Sequence, residues 1–498
     1  MDDTADGPTR VPRPPGAMDA RVVLDGTGLD IGGVVRLADG AAVPEVPARA
    51  LERAVRSWRT AGRLAATGRL YGRGTGVGAH RSVEVTAGDE AGHGLRLLRS
   101  HAGGAGNLLP ARHVRAMMAV RANQLLAGGS GIQPPFVTAL TEALRLGVHP
   151  SVNKYGGVGT GDLTALAQTG LTLIGERPWL GSTEGELPAP VSLQPGDALA
   201  LLSSNALALG QAALACHELM TLLRATHAVA ALSLTAVSGS LEAYAATVHS
   251  VRPYPGPARA AAEVRRLLGA PDRPAPSPGR IQDPYGFRVF PQVHGSALEA
   301  AESLRRIVEV EVNCPSENPL IGEDGTAHHH GGFFAAPLGL ALDGLCLALL
   351  QTAQLSGARL TALGRPDLTG LPAYLTAGPM SSSGTMILEY TVNSALAELR
   401  SCAAPASVGH AVLSHGLEEA ASFASQAARQ ALRAAEAYRT VLACELVVAV
   451  RALRLQPDLP PVAAFTVAAT ALPDGTEDRP LTGDVTMAAE LLTSLAEL

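Results

Sequence analysis

From Gly196 onward the chain is a succession of long apolar stripes of helical period, and this restricts it to folds in which helices pack on helices. Apolar residues recur at helical spacing over Asp197 to Arg224, Ser238 to His249, Ala258 to Leu268, His294 to Val310, Ala336 to Leu363, Ser394 to Leu399 and Gly416 to Leu453. Short irregular stretches separate them. The most Pro-rich of these, Arg252 to Pro284, holds one of the helices inside it. Long stripes joined in this way predict an antiparallel helical bundle. No internal repeat is evident.

Composition says how such a bundle is packed. Hydrophobic residues make up 47% of the 498 residues and aromatic residues only 3%, so Ala, Leu and Val must fill the core. Those side chains suit closely spaced helices. Charged residues are 17%, below the usual level of about a quarter, which predicts that subunit contacts hide much of the surface. The net charge is −6 and no Lys/Arg run occurs, which excludes nucleic acid as a partner. Met1 to Met18 is rich in Asp, Pro and Gly and lacks an apolar signal segment, so residues 1–18 are expected to be a disordered leader. Gly, Ser or charge breaks every apolar run of membrane length. Ala336 to Leu350 comes closest, but it contains Asp343 and reads as a buried bundle helix, so no membrane is expected. Cys216, Cys314, Cys346, Cys402 and Cys444 are widely spaced without a CxxC pair, the pattern of a reduced, cytoplasmic protein.

The first part of the chain is more mixed. Helices are expected over residues 45–66, Arg112 to Ala127, Pro135 to Leu146 and Asp162 to Thr169, with Gly-rich turns from Gly72 to Gly78 and short strands and turns over 171–193. The expectation is a mainly α protein: a smaller mixed N-terminal domain, 19–195, and an elongated helical bundle domain, 196–498. The tail from Asp474 to Asp484 is polar and precedes a last short helix.

Chemistry is concentrated near Gly156-Gly157-Val158-Gly159-Thr160-Gly161-Asp162-Leu163, which opens into a helix. One reading is a Gly-rich turn. A second is a phosphate cradle at a helix N-terminus, but no Gly-Lys-Ser/Thr follows and no nucleotide is expected. A third is backbone cyclisation. Small residues around a hydroxyl residue let one backbone nitrogen attack the carbonyl two residues earlier, and dehydration leaves an electrophilic ring.

The third reading fits a family. The run resembles the Gly-Ser-Val-Gly-Ala-Ser-Gly-Asp-Leu of the ammonia-lyases and aminomutases for histidine, phenylalanine and tyrosine, in which Ala-Ser-Gly becomes an imidazolone prosthetic group. Here Thr160 stands for the serine and Gly159 for the alanine, and the run from Pro150 is one residue shorter. Tyr71-Gly72-Arg73-Gly74-Thr75-Gly76-Val77-Gly78 is similar to the family's Tyr-Gly-Val-Asn-Thr-Gly-Phe-Gly. Ser100-His101, followed by Gly104 and Gly106, resembles the histidine-type substrate loop. Gln282-Asp283-Pro284-Tyr285, Arg288 and Pro291-Gln292-Val293 match a specific signature of the family. Asn313 to Ile321 resembles its Asn-Ser-Val-Thr-Asp-Asn-Pro-Leu-Ile, and Gly331-Gly332-Phe333 its Gly-Gly-Asn-Phe. Glu418 falls where histidine-type members carry a glutamate. The resemblance runs from about Leu51 to about Leu492.

The resemblance implies roles. Gly159-Thr160-Gly161 would form the electrophile, a methylidene- or ethylidene-imidazolone, that makes a poorly acidic β-proton removable. Tyr71 would be the general base, with a lowered pKa. Arg288 would grip the substrate carboxylate through a bidentate fork. Tyr285 and Gln282 would support the ring and the amino group, and Phe333 would wall the pocket. Ser203 stands where the family has an asparagine, and Asn205 replaces it only if the backbone shifts. His101 and Glu418 would form a specificity pair for an imidazole or another polar side chain, since a plain phenyl ring leaves both unpaired. Each residue also has a plain reading: Tyr71 as a buried hydroxyl, Arg288 as an ion-pair partner, Phe333 as a core aromatic. His328-His329-His330 sits in a Gly-rich loop where neighbouring residues rarely face one centre, so no metal is expected. Cys314 reads as packing.

The expected activity is elimination of ammonia from a histidine-like or other polar α-amino acid by a homotetramer whose sites draw on several subunits. An aminomutase giving a β-amino acid and a ring-less homologue that binds an amino acid or runs other chemistry stay open. Thr160 would add a methyl that shields the attacked carbon, and Gly159 adds backbone entropy that opposes cyclisation.

Overall fold

The computed structural model describes residues 20–68, 70–86, 88–181, 185–276 and 279–498; the expected leader lies outside them. The chain is mainly α-helical, and strands pair only as two-stranded ladders among the described residues. It forms two compact units. The first comprises the chain up to Leu214 with Val308–Ala336 and Gly409–Ser425, and the second comprises Ala215–Ile307, Pro337–Val408 and Gln426–Leu498. A single cut at 195/196 therefore does not describe the division. Later segments return to the first unit through hydrogen bonds: Asn313 with the backbone of Leu29, and Phe423 N–H with the Val158 carbonyl at 2.9 Å.

The first unit is built on α1 (Ile31–Asp39), α2 (Ala48–Thr67), α3 (Glu90–His101), α4 (Ala111–Leu126), α5 (Pro135–Leu146), α6 (Leu163–Leu173) and α7 (Asp197–Leu202). Asp30 caps α1 by accepting from Gly33 N, and Gly40 ends it at φ 71°. Pro135 opens α5 and Gly147 closes it. The centre is α4, in which every residue from Val114 to Leu126 is buried. Its polar side chains are consumed at the ends of neighbouring elements. Arg115 donates to the carbonyls of Leu37 and Ala38 at the end of α1. Arg121 donates to those of Ala200 and Leu201 in α7 and pairs with Glu317 at 2.8 Å.

The stripe from Asp197 to Arg224 is not one helix. It breaks at Ser203-Ser204-Asn205 and resumes as α8 (Ala206–Ala236). The cause lies elsewhere in the chain: the Asp162 carboxylate accepts from Ala208 N at 2.8 Å, and Asp162 N–H donates to the Ser204 carbonyl at 2.7 Å. A carboxylate that satisfies an N-terminal N–H starts a helix at that point. In the first unit, α1 and α3 have no counterpart among the expected helices, and α6 runs on to Leu173 where strands and turns were expected.

The second unit holds the remainder of the bundle: α9 (Ala246–Ser250), α10 (Pro255–Leu267), α11 (Tyr285–Arg288), α12 (Phe290–Glu311), α13 (Ala336–Leu363), α14 (Pro366–Thr369), α15 (Ile387–Cys402), α16 (Ala424–Arg454), α17 (Ala463–Ala471) and α18 (Thr482–Leu495). Its core contains a buried charged cluster. Glu445 on α16 accepts from Arg359 at 2.6 and 2.8 Å and from Ser233 at 2.7 Å. A paired and fully hydrogen-bonded carboxylate is the form in which such a charge is tolerated in a core. Asp197–Ala236 and Ala336–Leu363 are apolar and long enough to cross a membrane, but 89% and 50% of their most apolar stretches are buried. Asp343, buried on α13, accepts from the N–H groups of Ala406 and Ser407 at 3.1 and 2.9 Å, as suits a bundle helix.

Candidate active site

The first unit holds an open cavity of about 680 Å³. Its walls come from the Gly-rich turn after α2, one face of α3, the Gly159–Gly161 loop, the α7–α8 break, and the returning segments around Phe333 and Glu418. Tyr71, His101, Thr160, Gly161, Ser203, Phe333 and Glu418 all line it.

Tyr71 is held by its own turn. Its hydroxyl accepts the Gly78 N–H at 2.7 Å. Burial, then the Glu418 carboxylate, push the phenol above its ordinary value, while the Gly78 N–H and Arg81 pull it down. The lowered value that a general base needs is therefore not met within one chain.

His101 ends α3, and its Nδ1 lies 3.0 Å from the Leu97 carbonyl. A carbonyl only accepts, so Nδ1 carries a proton and Nε2 is the atom left for a ligand. Glu418 follows a tight loop. Leu413 and Glu418 exchange backbone hydrogen bonds, and Ser414, His415 and Gly416 all take positive φ, of 53°, 53° and 81°. Positive φ is costly for Ser and His, and the loop uses it to turn the chain back on itself. The Glu418 carboxylate accepts from Ser414 Oγ at 3.2 Å. The stripe from Gly416 to Leu453 becomes helical only at Ala424 for this reason.

The Gly-rich run follows a short strand, Asn153–Tyr155, which pairs antiparallel with Ala105–Leu108. Gly159 has φ 83° and Gly161 φ 107°, conformations that favour glycine. A Cβ on residue 159 would lie 2.2 Å from Ser422 Oγ and 2.9 Å from the nitrogens of Phe423 and Ala424. The alanine of the related motif has no room here. Ser422 Oγ donates to the Gly159 carbonyl at 2.8 Å, and Gly161 N–H donates to Asn205 Oδ1 at 3.1 Å. Asn205, not Ser203, is thus the side chain that supports this loop, and the break before α8 brings it there. The residues present fit an imidazolone: a hydroxyl residue faces the cavity, flanked by two glycines whose reacting backbone groups are both engaged.

Gln282, Tyr285 and Arg288 belong to the second unit and do not line the cavity. They surround α11, where the Arg288 guanidinium stacks on the Tyr285 ring at 4.7 Å and its Nε is buried without a partner among the described residues. Tyr285 is 65% exposed. In the histidine triplet, His328 Nε2 meets Thr326 Oγ1 at 2.7 Å, whereas His330 bridges the Glu317 carbonyl and the Gly332 N–H. Cys314 packs against the Glu311 carbonyl, and burial pushes its thiol up to about 11.

Several lining residues were not anticipated: His80, His93, the Asp89–Arg96 pair and Ser414. A signal existed for those near α3. Asp89, His93, Arg96, Leu97, Ser100 and His101 fall at i, i+4, i+7, i+8, i+11 and i+12, one face of a helix. His93 Nε2 is buried and has no partner among the described residues, and burial followed by Arg96 lowers its pKa.

The family model for aromatic amino acid lyases matches residues 29–472. The chain is 35% identical over 397 residues to a histidine ammonia-lyase of Geobacillus kaustophilus, covering 77% of this chain and 79% of that protein. Its fold is similar to that of an ergothioneine-degrading ergothionase from Treponema denticola, solved with desmethyl-ergothioneine sulfonic acid (TM-score 0.87, 25% identity, 95% of this chain and 99% of that one). It is also similar to a tyrosine aminomutase from Streptomyces globisporus (TM-score 0.88, 26% identity, 96% and 97%). With its motifs in order along most of its length, the chain belongs to the aromatic amino acid lyase family, the ammonia-lyases and aminomutases.

Proposed function

We propose that this protein eliminates ammonia from a histidine-like or otherwise polar α-amino acid. The observation that carries this reading is the joint presence of His101 and Glu418 on the wall of the cavity that also holds Tyr71 and Thr160. His101 offers Nε2 and Glu418 a carboxylate, a pair suited to a ring or chain bearing N–H groups or positive charge. A phenyl side chain would desolvate both without a partner, at a cost of about 1–3 kcal/mol for each polar group. The relatives agree in kind: one is a histidine ammonia-lyase and one degrades ergothioneine.

Gly159-Thr160-Gly161 would form the imidazolone, which would supply the electrophile for the substrate. Tyr71 takes the proton from the substrate's β-carbon. Burial and Glu418 oppose its ionisation, so the reaction needs positive charge beside the phenol, which a cationic substrate provides. Phe333 and Leu163 supply apolar surface to the cavity wall. Arg288, Tyr285 and Gln282 act from a partner subunit, with Arg288 taking the substrate carboxylate. A homotetramer is supported by the low charged fraction and by exposed apolar side chains on the second unit, such as Leu340, Tyr390 and Val408.

A second reading, an aminomutase giving a β-amino acid, draws support from the likeness to the tyrosine aminomutase. Intact mass with peptide mapping across Gly159–Gly161 tests the electrophile, which requires the loss of two waters. Ammonia release from histidine and other polar amino acids, with a conjugated acid as co-product, supports the lyase, and a β-amino acid product supports the mutase. An unmodified mass rules out the electrophile mechanism and leaves a ring-less member of the family.

A further inference from the structure

Two side chains engage the two backbone groups that ring closure must join. Gly161 supplies the attacking nitrogen, and its N–H donates to Asn205 Oδ1 at 3.1 Å. Gly159 supplies the attacked carbonyl, and its oxygen accepts from Ser422 Oγ at 2.8 Å. Both side chains are 5% exposed, so these bonds form away from water. We infer that Ser422 and Asn205 are the positioning residues of ring closure, Ser422 polarising the Gly159 carbonyl and Asn205 aligning the Gly161 nitrogen. The inference rests on the proposal that the ring forms.

Neither side chain is free to turn away. Asn205 Nδ2 donates to the Phe333 carbonyl, which fixes the amide orientation and leaves Oδ1 toward Gly161. Asn205 also sits at the start of α8, where its carbonyl accepts from Leu209 N at 2.9 Å. Ser422 Oγ accepts from Ala424 N at 3.4 Å, so its single proton is the one directed to Gly159. The chain on either side is tied down as well, because Phe423 N–H holds the Val158 carbonyl at 2.9 Å. Residues 422–424 lie so close to Gly159 that a Cβ there would clash. This packing holds the carbonyl in place while Asn205 holds the nitrogen, which replaces a search through loop conformations by a fixed approach.

The chemistry is balanced by the chain itself. Gly161 N bonds to the Gly159 carbonyl carbon, and its proton passes to the carbonyl oxygen. The resulting hydroxyl leaves with the Thr160 N–H proton as one water. The Thr160 Cβ hydroxyl and Cα proton leave as the second. No oxidant or reductant is required. Negative charge builds on the Gly159 oxygen during attack, and Ser422 Oγ–H already points at it, as a preorganised donor to an oxyanion does. Amide nitrogen is a poor nucleophile. Accepting its N–H at Asn205 Oδ1 raises its electron density as the new bond forms.

The test measures ring content, not turnover. Wild type, Ser422→Ala, Ser422→Thr, Asn205→Ala and Asn205→Asp are purified, checked for fold by circular dichroism and thermal unfolding, and their masses mapped across residues 150–170. The expected result is two lost waters in wild type, and ring formation slowed by about 100-fold or more in Ser422→Ala. Ser422→Thr recovers it, because the hydroxyl is restored. Asn205→Ala loses the ring, whereas Asn205→Asp keeps it, since the acceptor remains even though the Phe333 bond is lost; a merely structural role predicts that both fail. Two waters lost at the wild-type rate in Ser422→Ala and Asn205→Ala overturns the inference and leaves the electrophile intact. An unmodified wild type overturns both.

Discussion

Arg121 and Glu317 form a buried ion pair at 2.8 Å, and the same guanidinium donates to the carbonyls of Ala200 and Leu201 immediately before the α7–α8 break. The pair therefore positions Ser203, Ser204 and Asn205 without touching the cavity. Removing one member of a buried pair leaves the other uncompensated. Glu317→Ala is expected to cost about 3–5 kcal/mol in urea unfolding and to weaken ring formation by loosening Asn205. Unchanged stability would mean that Arg121 finds its compensation in the backbone carbonyls alone.

Glu418→Gln keeps the shape of the side chain and removes its charge. A hydrogen bond to a charged group contributes about 1.5–3 kcal/mol, so kcat/KM for a cationic or N–H-bearing substrate should fall by roughly 10- to 100-fold. The same change should penalise a phenyl substrate far less. Steady-state kinetics on one substrate of each kind check this.

The alkaline side of the pH profile follows from Tyr71. Burial and Glu418 raise its pKa, and a base must be ionised to act, so kcat/KM should still be rising with pH above neutrality. Glu418→Gln removes one of the raising causes and should move that limb to lower pH, while Tyr71→Phe abolishes activity without unfolding the protein. A limb that Glu418→Gln leaves in place would contradict this account.

Stability should fall in mild acid because of His227. Burial lowers its pKa from 6.5 to about 4, with the ring edge-on to His294 at 4.6 Å. The unfolded chain binds the proton first, so the contribution is fully present above pH 6.5 and is lost as pH falls toward 4. Between pH 7 and pH 5 this is worth about 2 kcal/mol. Comparing the thermal midpoint of His227→Phe with that of wild type across this range measures it, and the variant's slope should be the shallower.

Gly159→Ala restores the residue of the related motif but puts a Cβ 2.2 Å from Ser422 Oγ at a φ of 83°. Overpacking of this kind costs about 1–3 kcal/mol. Thermal unfolding should show the loss, and peptide mapping should show less ring than in wild type. An equal or higher ring content would mean that the loop relaxes away from residues 422–424.

Local pattern carried much of the fold. The helices at Pro135–Leu146 and Ala336–Leu363 have the ends that the apolar period and the flanking residues indicate, because period, proline and glycine act within a turn or two. The chain also announced its family through motifs that need only be in order. Other features depended on partners far along the chain. The stripe after Gly196 breaks at Ser203 because Asp162 caps the start of α8 through Ala208, 46 residues away in sequence. The stripe after Gly416 stays open because residues 413–423 return to the Gly159 loop, 263 residues from Ser422. The substitution at Ser203 looked like the loss of a supporting amide, yet Asn205 supplies one, since the break turns that residue toward Gly161. His93 became part of the cavity only when α3 presented a face to it. Sequence by itself determined the long helical stripes of the bundle, the mainly α class and the family, all of which follow from local periodicity and motif order. Tertiary structure alone decided where the stripes after Gly196 and Gly416 break, which side chains meet the Gly159–Gly161 backbone and how the Tyr71 phenol titrates, because each is set by groups that approach through space.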